Sequence, residues 1–581
     1  MDRDKFILIL IYLAAALIII RLFYWQFIAQ VASNEINGIQ EVKIPAPRGE
    51  IYAKDGFPLA ANQQAYLIYT LPKEIKNQPE DIAKKLAPHL ISEKYSTPGA
   101  QISDEEKKQK EEEIKQEESK ILQKISQKNL SWVQLARKIK LEVKEKIEGL
   151  NINGVGFEED QKRFYPEETM AASFLGFVGS DKFGESIGYF GLEGYYDGQL
   201  KGKSGRLKAN KDPFGFPILV GKYRPIEPKK GSSLYLTIDR TIQFIVEKRL
   251  KGSVEKYSAK EGTVIVMDPK SGHILAMASY PTYNPSLYTE FDQSLFKNPA
   301  IADTYEPGST FKLITMSAAL DLGVVTPSTK CDVCSGPRQI SGYKISTWND
   351  KYYPDSTMTE VIEHSDNVGM TFVADKLGID NLYGYITKFG FGDKTQIDLQ
   401  EETEGTIRTH RDWKVIDLAT ASFGQGIAVT PIQMAQAVST IANKGKQISP
   451  KIVEKIVTEG KETVVKPDNI KQVISPKTAT QITEMMVRAV ENGEARAFKP
   501  KGYRIAGKTG TAQIPVSGHY DPNKTITSFV GFAPADNPKF VMLVRFTEPT
   551  SSQFGSETAA PTFFAIAKEI LNYLGIPPSE K

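Results

Sequence analysis

The sequence has little of the material from which several kinds of functional site are built. Two cysteines cannot form a disulfide scaffold, and five histidines, with no pair spaced as HxxxH, leave few ligands for zinc or haem. Charges nearly cancel, with 73 Lys and Arg against 70 Asp and Glu, so the basic excess typical of a nucleic-acid-binding protein is absent. We therefore expect no metal, no cofactor and no nucleic acid partner, and any chemistry would depend on Ser, Lys, Asp or Glu.

Long apolar runs are also scarce, which excludes a protein with many membrane spans. Hydrophobic residues make up 40% of the chain and charged residues 25%, which are ordinary values for a globular protein and exclude a chain that is disordered throughout. At about 150 residues per domain, 581 residues predict three or four structural units.

One apolar run stands at the N-terminus. FILILIYLAAALIII covers Phe6 to Ile20, and after Arg21 no charge follows until Glu35. A bilayer core needs about 20 apolar residues, and Arg21 could snorkel to the interface. We predict a tail at 1–5 in the cytoplasm, an uncleaved anchor at 6–32 and the rest of the chain outside the membrane. The alternative is a cleaved signal peptide, which usually has a shorter apolar run and small residues before the cut.

The segment after the anchor predicts a β-rich pedestal domain at 33–230. IPAPRGEIYAKDGFPLA, from Ile44 to Ala60, indicates a strand and a hairpin. Near 101–128 the run DEEKKQKEEEIKQEESK mixes both charges at i,i+4 spacing, which predicts a solvated helical insert. A segment rich in Pro and Lys then places a domain boundary near Gly231.

The remainder, 231–581, predicts an α+β domain. β-rich runs around turns predict one hairpin at 263–280 and another at 528–546. Helix-like segments lie between them, including TPIQMAQAVSTIANKG from Thr430 to Gly445. This order of predicted elements, with strands first, helices next and strands again at the end, favours an antiparallel sheet with helices packed against it.

Ser309 and Lys312 form the first candidate for chemistry. Ser309 follows Pro-Gly and opens a segment that is apolar nearly all round except for Lys312. Three residues apart on a helix, the amine can reach the hydroxyl, and a desolvated lysine is a possible base for a serine nucleophile. The same Ser-x-x-Lys spacing also occurs three times elsewhere, and the alternative here is an N-cap serine beside a lysine that reaches solvent.

Two further motifs follow in order. Ser365-Asp366-Asn367 could by itself be a turn, and Lys508-Thr509-Gly510, followed by Thr511, could by itself be an edge strand. Together with Ser309 and Lys312, however, the ordered set is that of penicillin-binding proteins and class A β-lactamases.

The chain resembles the class B, monofunctional penicillin-binding proteins, the peptidoglycan D,D-transpeptidases. The resemblance rests on the anchor, on the three motifs, on Pro47-Arg48-Gly49-Glu50-Ile51-Tyr52, and on Arg163-Phe164-Tyr165-Pro166 with Gly191-Leu192-Glu193. It implies a penicillin-binding transpeptidase domain, similar to serine β-lactamases, with a five-stranded antiparallel sheet flanked by helices. The charged stretch and Ala53-Lys54-Asp55-Gly56 depart from the family pattern within the pedestal.

The resemblance also implies a role for each motif residue. Ser309 attacks the D-Ala-D-Ala carbonyl, Lys312 takes its proton, Ser365 relays a proton to the leaving amine, and Asn367 holds the substrate amide. The terminal carboxylate is bound by the strand residues Lys508, Thr509, Gly510 and Thr511. Backbone N–H groups of Ser309 and Thr511 form the oxyanion hole.

The resemblance further implies a setting for the reaction. It places the chain in the bacterial inner membrane as a single-pass protein with its catalytic domain outside the cytoplasm. Implied ligands are stem peptides of lipid II-derived glycan strands and β-lactams, and implied partners are a polytopic glycan polymerase and bitopic division proteins. Tyr305-Glu306-Pro307-Gly308 and the segment 424–431 look more like the division type than the elongation type.

Two other functions stay open. A D,D-carboxypeptidase or β-lactamase-like hydrolase would use water in place of the acceptor amine, and an inert divisome scaffold would bind without catalysis. The pair Cys331 and Cys334 lacks a second ligand pair for zinc and a thioredoxin-like context for redox chemistry, so we expect a local disulfide or two inert thiols. For His364 we expect a structural role.

Overall fold

A computed structural model of the chain describes residues 3–24, 39–92, 103–182, 184–211, 217–218, 226–467, 470–516 and 519–578. The strands in this part of the chain are β1 Ile39–Ile44, β2 Ile51–Tyr52, β3 Pro58–Thr70, β4 Val133–Ile139, β5 Val155–Phe164, β6 Phe177–Ser180, β7 Ser186–Tyr189, β8 Gly205–Lys211, β9 Pro217–Ile218, β10 Ser233–Leu236, β11 Glu261–Met267, β12 Ile274–Tyr280, β13 Arg338–Ile340, β14 Tyr343–Ile345, β15 Lys446–Ile448, β16 Val453–Thr458, β17 Lys461–Val464, β18 Ile470–Gln472, β19 Ala506–Val516, β20 His519–Ala533 and β21 Phe540–Thr547.

The α-helices of the same residues alternate with these strands. They are α1 Arg3–Phe23, α2 Pro79–Ser92, α3 Asp104–Ile125, α4 Leu141–Glu148, α5 Ala172–Leu175, α6 Gly191–Tyr195, α7 Asp197–Leu200, α8 Arg240–Tyr257, α9 Pro299–Ala302, α10 Lys312–Asp321, α11 Met358–Glu363, α12 Asn367–Lys388, α13 Val415–Ala421, α14 Pro431–Ala442, α15 Pro476–Asn492 and α16 Ala559–Tyr573.

The chain forms two compact units that are not contiguous in sequence. The first unit contains Met1–Arg48, Asn62–Lys162 and Lys201–Gly231, and the second unit contains Gly49–Ala61, Arg163–Leu200 and Ser232–Lys581. Two segments of the predicted pedestal therefore belong to the same unit as the C-terminal part of the chain.

The first unit contains the N-terminal helix and a small α/β core. In the part of the chain that the structure describes, no helix combines the length and the apolar character needed to cross a bilayer, and residues 25–32 of the predicted anchor lie outside the described ranges. The charged insert folds as helix α3, which begins with a reciprocal capping box between Ser103 and Glu106. Ile121 and Ile125 near its end are buried in the core of this unit, so the insert is solvated on one face only.

The second unit is built on a five-stranded antiparallel sheet in the order β12-β11-β21-β20-β19. Strand β21 is buried along its whole length, and its side chains alternate between two apolar cores. Phe540 and Val544 pack in the core that includes α8 and α16, while Val541 and Leu543 pack in the core that includes α10, α12 and α14. Helices therefore cover both faces, and β19 is left at one edge of the sheet.

Both predicted hairpins are confirmed. Strands β11 and β12 pair antiparallel around the turn at 268–272, and β20 and β21 pair around the turn at 535–538. The apolar segment at 430–445 contains helix α14, in which a capping box joins Thr430 and Gln433 and Pro431 occupies the first turn.

Candidate active site

A tight turn carries Ser309 to the edge of the sheet. Residues Gly308–Phe311 form a 3-10 turn that leads directly into α10. Gly308 has a φ of +54°, and a Cβ at this position would lie 2.9 Å from the carbonyl oxygen of Thr511 in β19. Only glycine permits both this backbone conformation and this close approach. The turn thereby holds Ser309 against strand β19.

Lys312 lies beneath this turn and is fully buried. Its Nζ donates hydrogen bonds to the carbonyl oxygen of Ser365 at 2.6 Å, to Ser365 Oγ at 3.2 Å and to Asn367 Oδ1 at 2.8 Å. Burial lowers the pKa of the amine well below its usual value, and the positive charge of Lys508 lowers it further. The structure thus places an amine that readily loses its proton between two of the sequence motifs.

The direct contact that we expected between Lys312 and Ser309 is not formed. Within the described residues, Nζ makes its hydrogen bonds to Ser365 and Asn367, and no hydrogen bond joins it to Ser309 Oγ. The N–H groups of a buried amine need hydrogen-bond acceptors, and oxygens of Ser365 and Asn367 provide them here.

The Ser365 motif is a strained turn at the start of α12. Ser365 has a φ of 55°, a left-handed conformation that a non-glycine residue adopts only when its surroundings impose it. Asp366 caps the helix by accepting a hydrogen bond from the N–H of Val368 at 2.7 Å, and burial raises the pKa of its carboxyl. Asn367 Nδ2 donates to the carbonyl oxygen of Ser346 at 3.1 Å. His364 stacks on Tyr353, with ring centroids 4.0 Å apart.

The third motif lies on the edge strand β19. Lys508 is buried, and its Nζ donates to Thr509 Oγ1 at 3.1 Å. Burial lowers the pKa of Lys508 to about 8, against the opposing influence of the Glu494 carboxylate. Thr511 Oγ1 accepts a hydrogen bond from the N–H of Gly555 at 3.0 Å. An edge strand leaves part of its backbone N–H and C=O groups free for a ligand.

These segments enclose one cavity of about 290 Å³. Five of the predicted residues line it, namely Ser309, Ser365, Asn367, Thr509 and Thr511. Lys312 contacts two of them from below, and Lys508 lines a smaller cavity that shares Thr509 and Glu494 with the first. Gly510 supports the strand without lining the cavity. The structure therefore brings all three motifs together around one cleft.

Some residues that line the cleft were not predicted. Trp348 and Phe554 come from two loops and meet edge to face, with ring centroids 5.6 Å apart, and both are about half exposed. Glu494 follows helix α15, and Gln513 and Gln553 also line the cavity. No pattern in the sequence indicates Trp348 or Phe554, because both lie in loops, which carry no periodicity.

Cys331 and Cys334 form a disulfide and are both buried. Of the two outcomes that we expected for this pair, the structure has the local disulfide, which removes both thiols as metal ligands. Among the described residues, no group of three or more His, Cys, Asp or Glu side chains is arranged to hold a metal ion.

A serine in a cleft at the edge of an antiparallel sheet, with a buried lysine behind it, defines the class of penicillin-recognising serine enzymes. Residues 262–572 match the penicillin-binding protein transpeptidase domain, and residues 43–236 match the penicillin-binding protein dimerisation domain. The chain belongs to the class B penicillin-binding proteins, in which these two domains occur together.

Similar proteins span nearly the same length. The chain is 35% identical over 588 residues to stage V sporulation protein D of Bacillus subtilis, covering 99% of this chain and 86% of the relative. It is 31% identical over 579 residues to the probable peptidoglycan D,D-transpeptidase PbpC of Pseudomonas aeruginosa, covering 99% and 94%. A peptidoglycan synthetase structure from Bifidobacterium adolescentis matches with a TM-score of 0.72 and 27% identity, covering 93% of this chain and 98% of that chain.

Proposed function

We propose that the protein is a peptidoglycan D,D-transpeptidase that cross-links stem peptides through a serine acyl-enzyme. The observation that carries this proposal is the buried Lys312 amine, which contacts Ser365 and Asn367 under a cleft lined by Ser309. Family membership and relatives named as D,D-transpeptidases support the same reaction.

The reaction begins at Ser309. Its Oγ attacks the carbonyl of the penultimate D-Ala, and its proton passes to the neutral amine of Lys312. Ser365 relays a proton to the leaving amine, and Asn367 holds the substrate amide. Small side-chain motions bring Ser309 Oγ and Lys312 Nζ together, because hydrogen bonds of this kind are often long before substrate binds.

Strand β19 binds the donor end of the substrate. Lys508, Thr509 and Thr511 bind the terminal carboxylate. Gly510 keeps the strand close to the turn Gly308–Phe311, which we call the nucleophile turn. The N–H groups of Ser309 and Thr511 stabilise the oxyanion, and loss of one such donor typically lowers the rate by about 10² to 10³. D-Ala then leaves, and an amine of a second stem peptide resolves the acyl-enzyme.

The cellular setting is part of the same proposal. We propose a bacterial inner-membrane protein with an anchor at 6–32, a pedestal at 33–230 and a transpeptidase domain at 231–581 outside the cytoplasm. The apolar run at the N-terminus supports the anchor. A division-type role, with a polytopic glycan polymerase and bitopic division proteins as partners, rests on the resemblance of Tyr305-Glu306-Pro307-Gly308 and the segment 424–431.

A fluorescent penicillin tests the reaction. We expect wild-type protein to form a covalent adduct, seen by gel and intact mass, that Ser309→Ala abolishes. Ser294→Ala is the matched control, because Ser294 and Lys297 share the Ser-x-x-Lys spacing but Ser294 is exposed outside the cleft. Decay of the adduct over hours supports the transpeptidase, whereas rapid turnover would indicate a hydrolase. A folded wild-type protein that forms no adduct would contradict the proposal.

A further inference from the structure

Glu494 is the one carboxylate among the described residues that line the cleft. It comes two residues after the end of α15, where the N–H of Gly493 donates to the carbonyl oxygen of Ala489 at 3.1 Å and terminates the helix. Glu494 is exposed, and within the described part of the chain its carboxylate has no hydrogen bond or ion pair. A carboxylate that faces a reaction cleft without a partner is available to a ligand.

The residues beside Glu494 show at which end of the cleft it lies. It lines the main cavity together with Ser365 and Thr509, and it lines the adjoining smaller cavity together with Lys508. Lys508 and Thr509 are the residues that we assign to the terminal carboxylate of the donor. Glu494 therefore lies at the end of the cleft that the leaving D-Ala vacates.

Without the charge of Glu494, this end of the cleft would bind an anion more favourably than a cation. Lys508 is buried, and its positive charge would repel an entering ammonium group. The Glu494 carboxylate acts on both lysines in the opposite electrostatic sense. It offsets the repulsion at the place where the acceptor amine must enter.

We propose that Glu494 forms the acceptor subsite, where its carboxylate binds the primary ammonium group of the second stem peptide before that group attacks the acyl-enzyme. The inference rests on the proposed function and names a substrate-binding residue for its second half. A lysine-type amine has a pKa of about 10.4, so it arrives as the ammonium at neutral pH.

The aminolysis step balances as follows. The ammonium releases one proton to solvent, and the resulting amine forms a C–N bond to the acyl carbon. The C–O bond to Ser309 Oγ breaks, and a second proton passes from the nitrogen through Lys312 to Ser309 Oγ. Glu494 holds the ammonium in place and takes no part in bond making or breaking.

The test uses the full-length protein and compares two nucleophiles. A benzoyl-D-alanyl thioester forms the acyl-enzyme, which is then partitioned between water and either Nα-acetyl-lysine amide, a cation, or hydroxylamine, which is uncharged at neutral pH. We expect Glu494→Gln to raise the half-saturating concentration of the lysine amide by about three- to tenfold. The value for hydroxylamine stays unchanged, because this nucleophile carries no charge for the carboxylate to bind.

Two controls separate binding of the acceptor from a general charge effect. Glu494→Asp keeps the charge and should restore most of the affinity for the lysine amide. Glu363→Gln removes an equal charge from the smaller cavity beside Lys508. Glu363 does not itself line the main cleft, so this change should leave both nucleophiles unaffected. In wild-type protein, added salt should raise the half-saturating concentration of the lysine amide only.

Each other outcome has a defined meaning. An unchanged half-saturating concentration in Glu494→Gln, or an equal rise for both nucleophiles, overturns the inference while penicillin acylation still supports the proposed function. Absence of any acyl-enzyme in the folded wild-type protein overturns the proposed function and the acceptor subsite with it.

Discussion

Lys312 and Lys508 are both buried lysines, yet the proposed reaction needs them in opposite protonation states. Lys312 must be neutral to accept a proton, and burial together with Lys508 lowers its pKa toward that state. Lys508 must be charged to bind a carboxylate, and its pKa is lowered only to about 8. The proposed reaction therefore requires a pH at which Lys312 is neutral and Lys508 is still protonated.

The first prediction concerns this pH requirement. The rate of acylation by penicillin should rise with pH as Lys312 loses its proton, and it should fall above about 8 as Lys508 loses its own. In Lys508→Arg this fall in rate, the alkaline limb of the profile, should shift to higher pH, because a guanidinium stays protonated. Stopped-flow acylation across pH measures both limbs. Exposed Lys539→Arg is the control, and an alkaline limb that stays in place in Lys508→Arg would contradict the assignment.

The second prediction concerns a buried ion pair in the second unit. Arg163 Nε donates to Glu193 Oε1 at 2.6 Å, and both side chains are almost fully buried. Glu193→Gln removes the buried negative charge that contacts this guanidinium, so we expect the free energy of unfolding to fall by about 3 to 5 kcal/mol. Urea denaturation measures the loss.

The exposed pair Lys144 and Glu148 provides the comparison. Glu148→Gln should change the free energy of unfolding by no more than about 1 kcal/mol, because water screens this pair. Equal effects of the two substitutions would show that the buried pair of Arg163 and Glu193 does not hold the segment 163–193 in place.

Strand β19 requires glycine at one position for a packing reason. A Cβ on Gly510 would lie 2.4 Å from Ser528 Oγ in β20 and 2.9 Å from Thr310 Cγ2 in the nucleophile turn. The strand therefore approaches two neighbours at once at Gly510, and it carries Lys508 and Thr511 on either side of that contact.

The third prediction follows from this packing. Gly510→Ala should lower the free energy of unfolding by about 1 to 3 kcal/mol and should slow penicillin acylation, because the added methyl group separates β19 from the nucleophile turn. Gly384→Ala is the matched control in helix α12, where a Cβ meets open space, and should stabilise by about 0.5 to 1 kcal/mol. Thermal melting and acylation rates measure both variants, and a fully active Gly510→Ala would contradict the argument.

The elements were predictable from sequence where their signals are local. β-rich runs around turns predicted the hairpins, and Pro431 near the start with Gly445 after the end predicted helix α14. The contact between Lys312 and Ser365 spans 53 residues, and no local pattern encodes it. The family resemblance implied that Lys312 and Ser365 belong to one site, but it did not indicate that Lys312 would contact Ser365 rather than Ser309.

The remaining part of the cleft was beyond sequence reasoning for a physical reason. Trp348, Glu494 and Phe554 come from three separate loops, and they meet only because helices and strands elsewhere place the ends of those loops together. A loop residue carries no periodicity, so its neighbours cannot be inferred from its own sequence. The interleaving of the two units was missed because a boundary was sought at one linker.

The path of the chain between the two units has consequences for dissecting the protein. Strand β10 pairs in parallel with β2, joining Leu234 to Ile51 and Tyr235 to Tyr52. The core of the second unit also includes Phe174 and Leu192 from the segment 163–200. A fragment that begins at the linker near Gly231 would lack Ile51, Tyr52, Phe174 and Leu192.

The fourth prediction compares two fragments. Residues 232–581 should melt at a lower temperature than residues 49–581 and should aggregate, because the shorter fragment exposes the edge of β10 and removes part of the apolar core. Thermal melting and the fraction that binds fluorescent penicillin measure the difference. Melting temperatures within about 2 °C of each other would show that the early segments are dispensable.

The same interleaving sets the order in which the protein can fold during synthesis. Strand β2 and helices α5 to α7 are synthesised long before β10 and the five-stranded sheet, so part of the apolar core that they join in the second unit is still missing. The second unit becomes complete only when α16, near the C-terminus, has been made. Its folding depends on contacts of large sequence separation, so it is slow and takes place largely after translation. Until then the early segments expose apolar side chains, which are prone to aggregate.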